Sequence, residues 1–286
     1  MQGEEVVDQF RVDFEPNYVP QGDEERVFRV AFETHIPLII KGPTGCGKTR
    51  FIEHMARRLD RPLVTVSCHE DLTAADLVGR FLFRDDQTVW QDGPLALAVR
   101  HGAICYLDEI VEARKDTTVI IHSLTDDRRM LFIDKTGEVV RAHPKFMMVL
   151  SYNPGYQSIV KDLKHSTKQR FASLAFDHPP VDVETRIIAT ETGLDEPTSR
   201  KLAEMGAKVR ELRGFGLDEG VSSRLLVYVG RLATGGLSML DACRAAISQT
   251  LTEDPEVIAS IDDIVQLYFG DLMGAEGERE CEAEGV

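Results

Sequence analysis

Basic residues are scarce in this sequence: 33 Lys and Arg stand against 48 Asp and Glu in 286 residues, a net charge of −15. Phosphate backbones are held largely by clustered cations, so this balance excludes nucleic acid as the expected partner. No run approaches the ~18 consecutive apolar residues of a spanning helix, and the opening MQGEEVVDQF has neither the basic nor the apolar region of an export signal. The expectation is a cytoplasmic protein with no membrane partner. The five cysteines include no C-x-x-C pair, and the eight histidines show no H-E-x-x-H spacing. A disulfide framework, a zinc knuckle and a metal site made of protein ligands alone are therefore all disfavoured. Aromatics are few, with a single tryptophan, Trp90.

What is present is apolar material, 43% of the residues, enough for one large domain and a smaller one. Residues 1 to 22 mix charge with Pro16 and Pro20 and read as an extended lead-in. Short apolar runs at 36–41, 62–66, 103–107 and 146–150 read as strands. Helical spacing at 47–59, 94–100 and 117–124 alternates with them. This alternation predicts a parallel sheet with helices on both faces over residues 23–180. Two β-prone pairs around polar turns interrupt the rhythm, one at about 80–92 and one at 129–141; they read as inserted hairpins, the second with Thr136-Gly137 at its turn. Beyond Pro179-Pro180 the pattern turns helical to about residue 270, predicting a small all-helical lid at 181–270. The Gly- and Glu-rich tail 271–286 has little to bury and is expected to be disordered.

The segment Gly42-Pro43-Thr44-Gly45-Cys46-Gly47-Lys48-Thr49 matches G-x-x-x-x-G-K-[ST] and lies between a predicted strand and a predicted helix. Glycines there let backbone N–H groups curl around phosphate oxygens at a helix N-terminus. Lys48 reaches the β and γ phosphates, and Thr49 ligates Mg²⁺. ATP with Mg²⁺ is the expected cofactor pair. A second motif, the apolar run 103–107 ending in Asp108-Glu109, supplies a carboxylate for the metal and a base for the attacking water. Alone it would read as a strand ending in a solvated acidic turn; beside the phosphate loop the catalytic reading wins. Cys46 sits near a helix N-terminus, where a thiolate is favoured, but a small inert residue is the plainer reading. Trp90 fits a contact residue or a core residue equally well.

The strings KGPTGCGKTRF (41–51), DLTAADLVGRF (71–81), WQDGPL (90–95), AICYLDEIVEARKDTT (103–118), SYNPGYQS (151–158), LKHSTKQRF (163–171) and EGVSSRLLVY (219–228) resemble the AAA+ ATPases, within them the MoxR branch and its CbbQ/NirQ/NorQ/GvpN family. The resemblance covers about residues 18–270. It implies a P-loop NTPase fold and a homo-oligomeric, hexameric ring that hydrolyses ATP to remodel a client protein. It also implies that Asn153 is sensor 1, that Arg170 is an arginine finger offered to the neighbouring subunit, and that Arg224 is sensor 2. Arg210, Arg213 and Arg231 are nearby alternatives for the last role. The two hairpins match the family's helix-2 and pre-sensor-1 inserts, which face the pore or substrate side.

The partner implied by the resemblance is an adaptor with a von Willebrand factor A domain, of the CbbO type, and the preferred client is rubisco. Maturation of nitric oxide reductase, in the manner of NorQ and NirQ, would use the same core motifs. Two readings come from other classes, a nucleotide switch that scarcely turns over and a small-molecule kinase. Glu109 with Arg170 opposes the first, and the paired acids, Asn153 and the lid oppose the second.

Overall fold

The computed structural model describes residues 6–84, 86–154, 164–214, 216–217 and 219–270. The acidic tail and most of the SYNPGYQS string after Pro154 lie outside these residues. Among the described residues, 6–42 with 47–176 form one compact unit, and 177–270 with Pro43–Cys46 form a second.

The first unit is built on a five-stranded sheet in the order β2-β5-β8-β1-β9, all pairs parallel. Its strands are β1 (Leu38–Lys41), β2 (Leu63–Ser67), β5 (Ile104–Asp108), β8 (Met147–Tyr152) and β9 (Ala172–Ala175). The sheet helices are α1 (Glu24–Glu33), α2 (Lys48–Arg58), α3 (Ala74–Val78), α4 (Pro94–His101), α5 (Lys115–Ile120) and α6 (His165–Lys168). Neither α1 nor the edge strand β9 is foreseen from the sequence pattern. Two antiparallel hairpins stand apart from the sheet: β3 (Gly79–Arg84) with β4 (Gln87–Asp92), and β6 (Met130–Ile133) with β7 (Glu138–Arg141). The lead-in is tethered rather than free, since Val7 is buried in the core and Leu63 donates its N–H to the Phe10 carbonyl at 2.8 Å.

Strand alternation assigns residues to the two faces of the sheet. Ile39, Cys105, Leu107, Met148 and Leu150 pack into one apolar cluster with α4. Leu38, Ile40, Ile104, Tyr106, Met147 and Val149 pack into the other, against Phe51, Ile52 and Met55 of α2. Burying a side chain such as Phe51 contributes about 1.5–3 kcal/mol, so this packing is what fixes α2 on the sheet. Because α2 begins at Lys48, the same packing fixes the start of the helix at the C-terminal edge of β1.

Trp90 is partly buried and packs against the first cluster, edge-on to Phe81, with its indole N–H donated to Asp92 at 2.7 Å. Those contacts are a packing role.

The second unit is helical: α7 (Val181–Thr192), α8 (Glu196–Arg210), α9 (Ser223–Thr234), α10 (Met239–Cys243) and α11 (Pro255–Phe269). The chain passes from α10 through a π turn, Arg244–Ser248, into Gln249–Leu251. Ile188, Leu202, Val209, Leu226, Ile247 and Ile261 anchor its core. Asp195, Ser222, Ser238 and Asp254 each accept a backbone N–H at a helix start, supplying partners for groups the helix cannot satisfy itself. No helix among the described residues is long and apolar enough to cross a membrane.

Candidate functional site

In a parallel sheet the C-terminal strand ends share one edge. Here that edge carries Gly42 after β1, Asp108 at the end of β5 and Asn153 after β8. Gly45 and Gly47 take positive φ, 68° and 99°, which the tight loop requires and which side chains disfavour. Gly42 is demanded by space instead, since a Cβ there would lie 2.5 Å from the Phe176 carbonyl oxygen. Lys48 is buried, with its ammonium donated to the Gly42 carbonyl at 2.9 Å. Cys46 is also buried, at 2% exposure, which keeps reagents from its thiol.

Period-two geometry also explains the acidic side of the site. Tyr106 points to the α2 face, so Asp108, two residues on, does as well. Leu107 pairs with Leu150, so the next position of β8, Ser151, lies beside Asp108. The Tyr106 hydroxyl donates to Asp108 Oδ1 at 2.6 Å and lies 3.0 Å from Ser151 Oγ, which itself donates to Asp108 Oδ1. Burial and the Asp108 charge both push the Tyr106 phenol above its ordinary range, so it stays protonated.

Glu109 follows with φ 52°, a left-handed conformation uncommon for a residue with a side chain. Its N–H donates to Ser151 Oγ at 3.3 Å. Burial raises the Glu109 pKa, with the Asp108 and Glu112 charges adding to it, while Lys48 and the Asn153 N–H oppose the rise. A carboxylate above its ordinary value is a better base. Asn153 is itself buried, at 2% exposure.

Arg170 has different company. It lies 3.6 Å from Asp126 Oδ2 and donates to the His122 carbonyl at 3.4 Å. His122 in turn contacts Thr167 Oγ1 at 3.1 Å, bracing the turn that carries Arg170. In the helical unit Arg224 is exposed near the start of α9. Two of its alternatives are engaged: Arg210 pairs with Glu184 at 2.6 Å and Arg231 with Glu191 at 2.9 Å.

The residues fit a nucleoside triphosphate with a hard divalent cation. A glycine loop and a buried lysine suit phosphate, and the hydroxyl and carboxylate of Thr49 and Asp108 are an all-oxygen donor pair. Residues 37–171 match the AAA domain of the dynein-related subfamily, and residues 184–268 match the CbbQ/NirQ/NorQ C-terminal domain. Protein CbbQ of Hydrogenophilus thermoluteolus is 56% identical over 91% of this chain and 98% of that one. The chain belongs to the CbbQ/NirQ/NorQ family of AAA+ ATPases. Within that family, Protein NorQ of Paracoccus denitrificans is 55% identical, covering 89% of this chain and 94% of that one. The denitrification regulatory protein NirQ of Stutzerimonas stutzeri is 51% identical, over 89% and 93%. Two solved structures share the AAA+ fold. A putative ATPase from Cytophaga hutchinsonii has a TM-score of 0.51 at 15% identity, over 91% of this chain and 88% of that one. A Thermotoga maritima RuvB mutant has a TM-score of 0.53 at 14% identity, over 89% and 72%.

Tyr106 and Ser151 are absent from the sequence-based site. Tyr106 lies in a run that reads as buried strand and Ser151 just past the run at 146–150, and only the pairing of β5 with β8 reveals that their hydroxyls meet Asp108.

Proposed function

We propose that this chain is an ATP-hydrolysing subunit of a homo-oligomeric, hexameric ring that remodels a client protein. The observation that carries the reading is the gathering of Lys48, Thr49, Asp108, Glu109 and Asn153 at one edge of one sheet. Lys48 binds the β and γ phosphates, helped by the loop amides from Gly42 to Thr49. When bound, Mg²⁺ supplies charge neutralisation between those phosphates, with Thr49 and Asp108 as its protein oxygens. Glu109 accepts the proton of the attacking water, and Asn153 is the sensor-1 residue beside it. Arg170 stabilises charge on the nucleotide of the neighbouring subunit, and Arg224 reports the nucleotide state to the helical lid.

Rubisco is the client we place first, reached through an adaptor with a von Willebrand factor A domain. Maturation of nitric oxide reductase is the second reading, favoured by the 55% identity to NorQ. Glu109 bears against a passive nucleotide switch, because a switch has no need of a base held in strained backbone.

Phosphate release from Mg²⁺-ATP, with and without added small-molecule acceptors, tests the hydrolysis. Acceptor-independent release that vanishes in Lys48→Ala and Glu109→Gln is expected; release that needs an acceptor would make the chain a kinase. Affinity capture with tagged protein from its source cells tests the client, the expected companions being a von Willebrand factor A protein and rubisco. Recovery of nitric oxide reductase subunits instead would select the second reading.

A further inference from the structure

Tyr106 and Ser151 are fully buried, yet each carries a hydroxyl. Burying a polar group is costly unless it is hydrogen-bonded, so each of these hydroxyls must find a partner for its proton. Each hydroxyl has a single proton to give. The Glu109 N–H can only donate, and it meets Ser151 Oγ at 3.3 Å. Ser151 accordingly sends its own proton to Asp108 Oδ1. The Tyr106 proton goes to the same side, to Asp108 Oδ1 at 2.6 Å or to Ser151 Oγ at 3.0 Å. A carboxylate that accepts two buried hydroxyls on one oxygen is restrained in direction.

We propose that Tyr106 and Ser151 are positioning residues for the cation site: their two hydroxyls hold the Asp108 carboxylate in one direction. The inference rests on the reading of Thr49 and Asp108 as the protein oxygens of the Mg²⁺ site. It extends that reading to two residues whose own atoms touch neither nucleotide nor metal. Ser151 has a further duty, because its oxygen accepts the N–H of Glu109 and so supports the strained backbone of the base.

The test separates cation binding from nucleotide binding in the full chain. The affinity for a fluorescent ADP analogue is measured in EDTA and across a Mg²⁺ titration, for wild type, Tyr106→Phe and Ser151→Ala. Loss of a residue that orients a metal ligand weakens metal affinity by about 10–100-fold. The Mg²⁺ concentration for half-maximal tightening should therefore rise about tenfold or more in Tyr106→Phe, while affinity in EDTA stays within about twofold of wild type. Ser151→Ala approaches the same carboxylate from the neighbouring strand and gives an independent answer if Tyr106→Phe folds poorly. An unchanged Mg²⁺ midpoint in the variants overturns the inference, as does an equal loss of affinity with and without Mg²⁺, which would indicate general loosening. Wild-type protein whose nucleotide affinity ignores Mg²⁺ would overturn the reading of the cation site itself, and this inference with it.

Discussion

The guanidinium of Arg210 lies across the carboxylate of Glu184 in a two-pronged pair, at 2.6 and 2.8 Å, and that carboxylate is fully buried. Ser223 Oγ donates to the same carboxylate at 2.5 Å, and Arg210 Nε donates to the Val221 carbonyl at 2.8 Å. Three helices, α7, α8 and the start of α9, are tied at this one point. Removing one partner of such a pair strands a buried charge, so Arg210→Ala should cost about 3–5 kcal/mol in a denaturant melt. Arg200→Ala, which breaks an exposed pair with Asp182, should scarcely move the midpoint. Similar losses in the two variants would show that the buried pair is not a structural tie.

Hydrolysis should have an acid limb governed by Glu109. The base acts as carboxylate, and burial raises its pKa, so activity should fall with decreasing pH at values above the ordinary glutamate range. The effect on stability has the opposite sign. The folded protein holds this proton more tightly than the unfolded chain, so stability falls as pH rises from the ordinary value to the raised one. A pH–rate profile checks the first; a limb confined to the ordinary carboxylate range would assign it to another group.

The backbone at Glu109 gives a prediction independent of catalysis. Left-handed φ costs a residue with a Cβ about 1–2 kcal/mol, and glycine escapes that cost. Glu109→Gly should therefore be more stable than Glu109→Ala by about 1 kcal/mol, the reverse of the usual order, with both inactive in hydrolysis. Thermal melts of the two variants decide it.

Shared active sites predict rescue between dead subunits. Arg170→Ala and Lys48→Ala proteins should each be inactive, the former by about 10³-fold or more if its arginine serves the neighbouring site. Mixed rings should recover activity where an Arg170→Ala phosphate site faces an intact Arg170. An Arg170→Ala protein hydrolysing ATP at the wild-type rate would remove this residue from the mechanism.

Much of the sheet is legible because its strands are short apolar runs between helical spacings: 103–107 foretells Ile104–Asp108, and 146–150 foretells Met147–Tyr152. The edge strand β9 escapes notice because Ala-Ser-Leu-Ala is too short and too mixed to stand out. The β3-β4 turn carries no glycine, and Asp86 adopts φ 58° instead, a conformation the aspartate side chain tolerates. The phosphate loop and the acidic pair are visible as motifs, since their residue types are dictated by phosphate and metal chemistry. The hydroxyls of Tyr106 and Ser151 are not, because a strand buried on both faces has no polar alternation to show which way each residue points. Their meeting depends on which strands pair and in what register, and that is settled by the fold.

The place of β8 in the sheet order has a mechanical consequence. It is hydrogen-bonded on one side to β1, which leads into the phosphate loop, and on the other to β5, which ends in the two acids. It brings its own Ser151 and Asn153 to the same edge. A single-residue deletion within β8 upstream of Ser151 would turn both of its polar side chains to the opposite face, silencing the site while leaving the two sequence motifs intact.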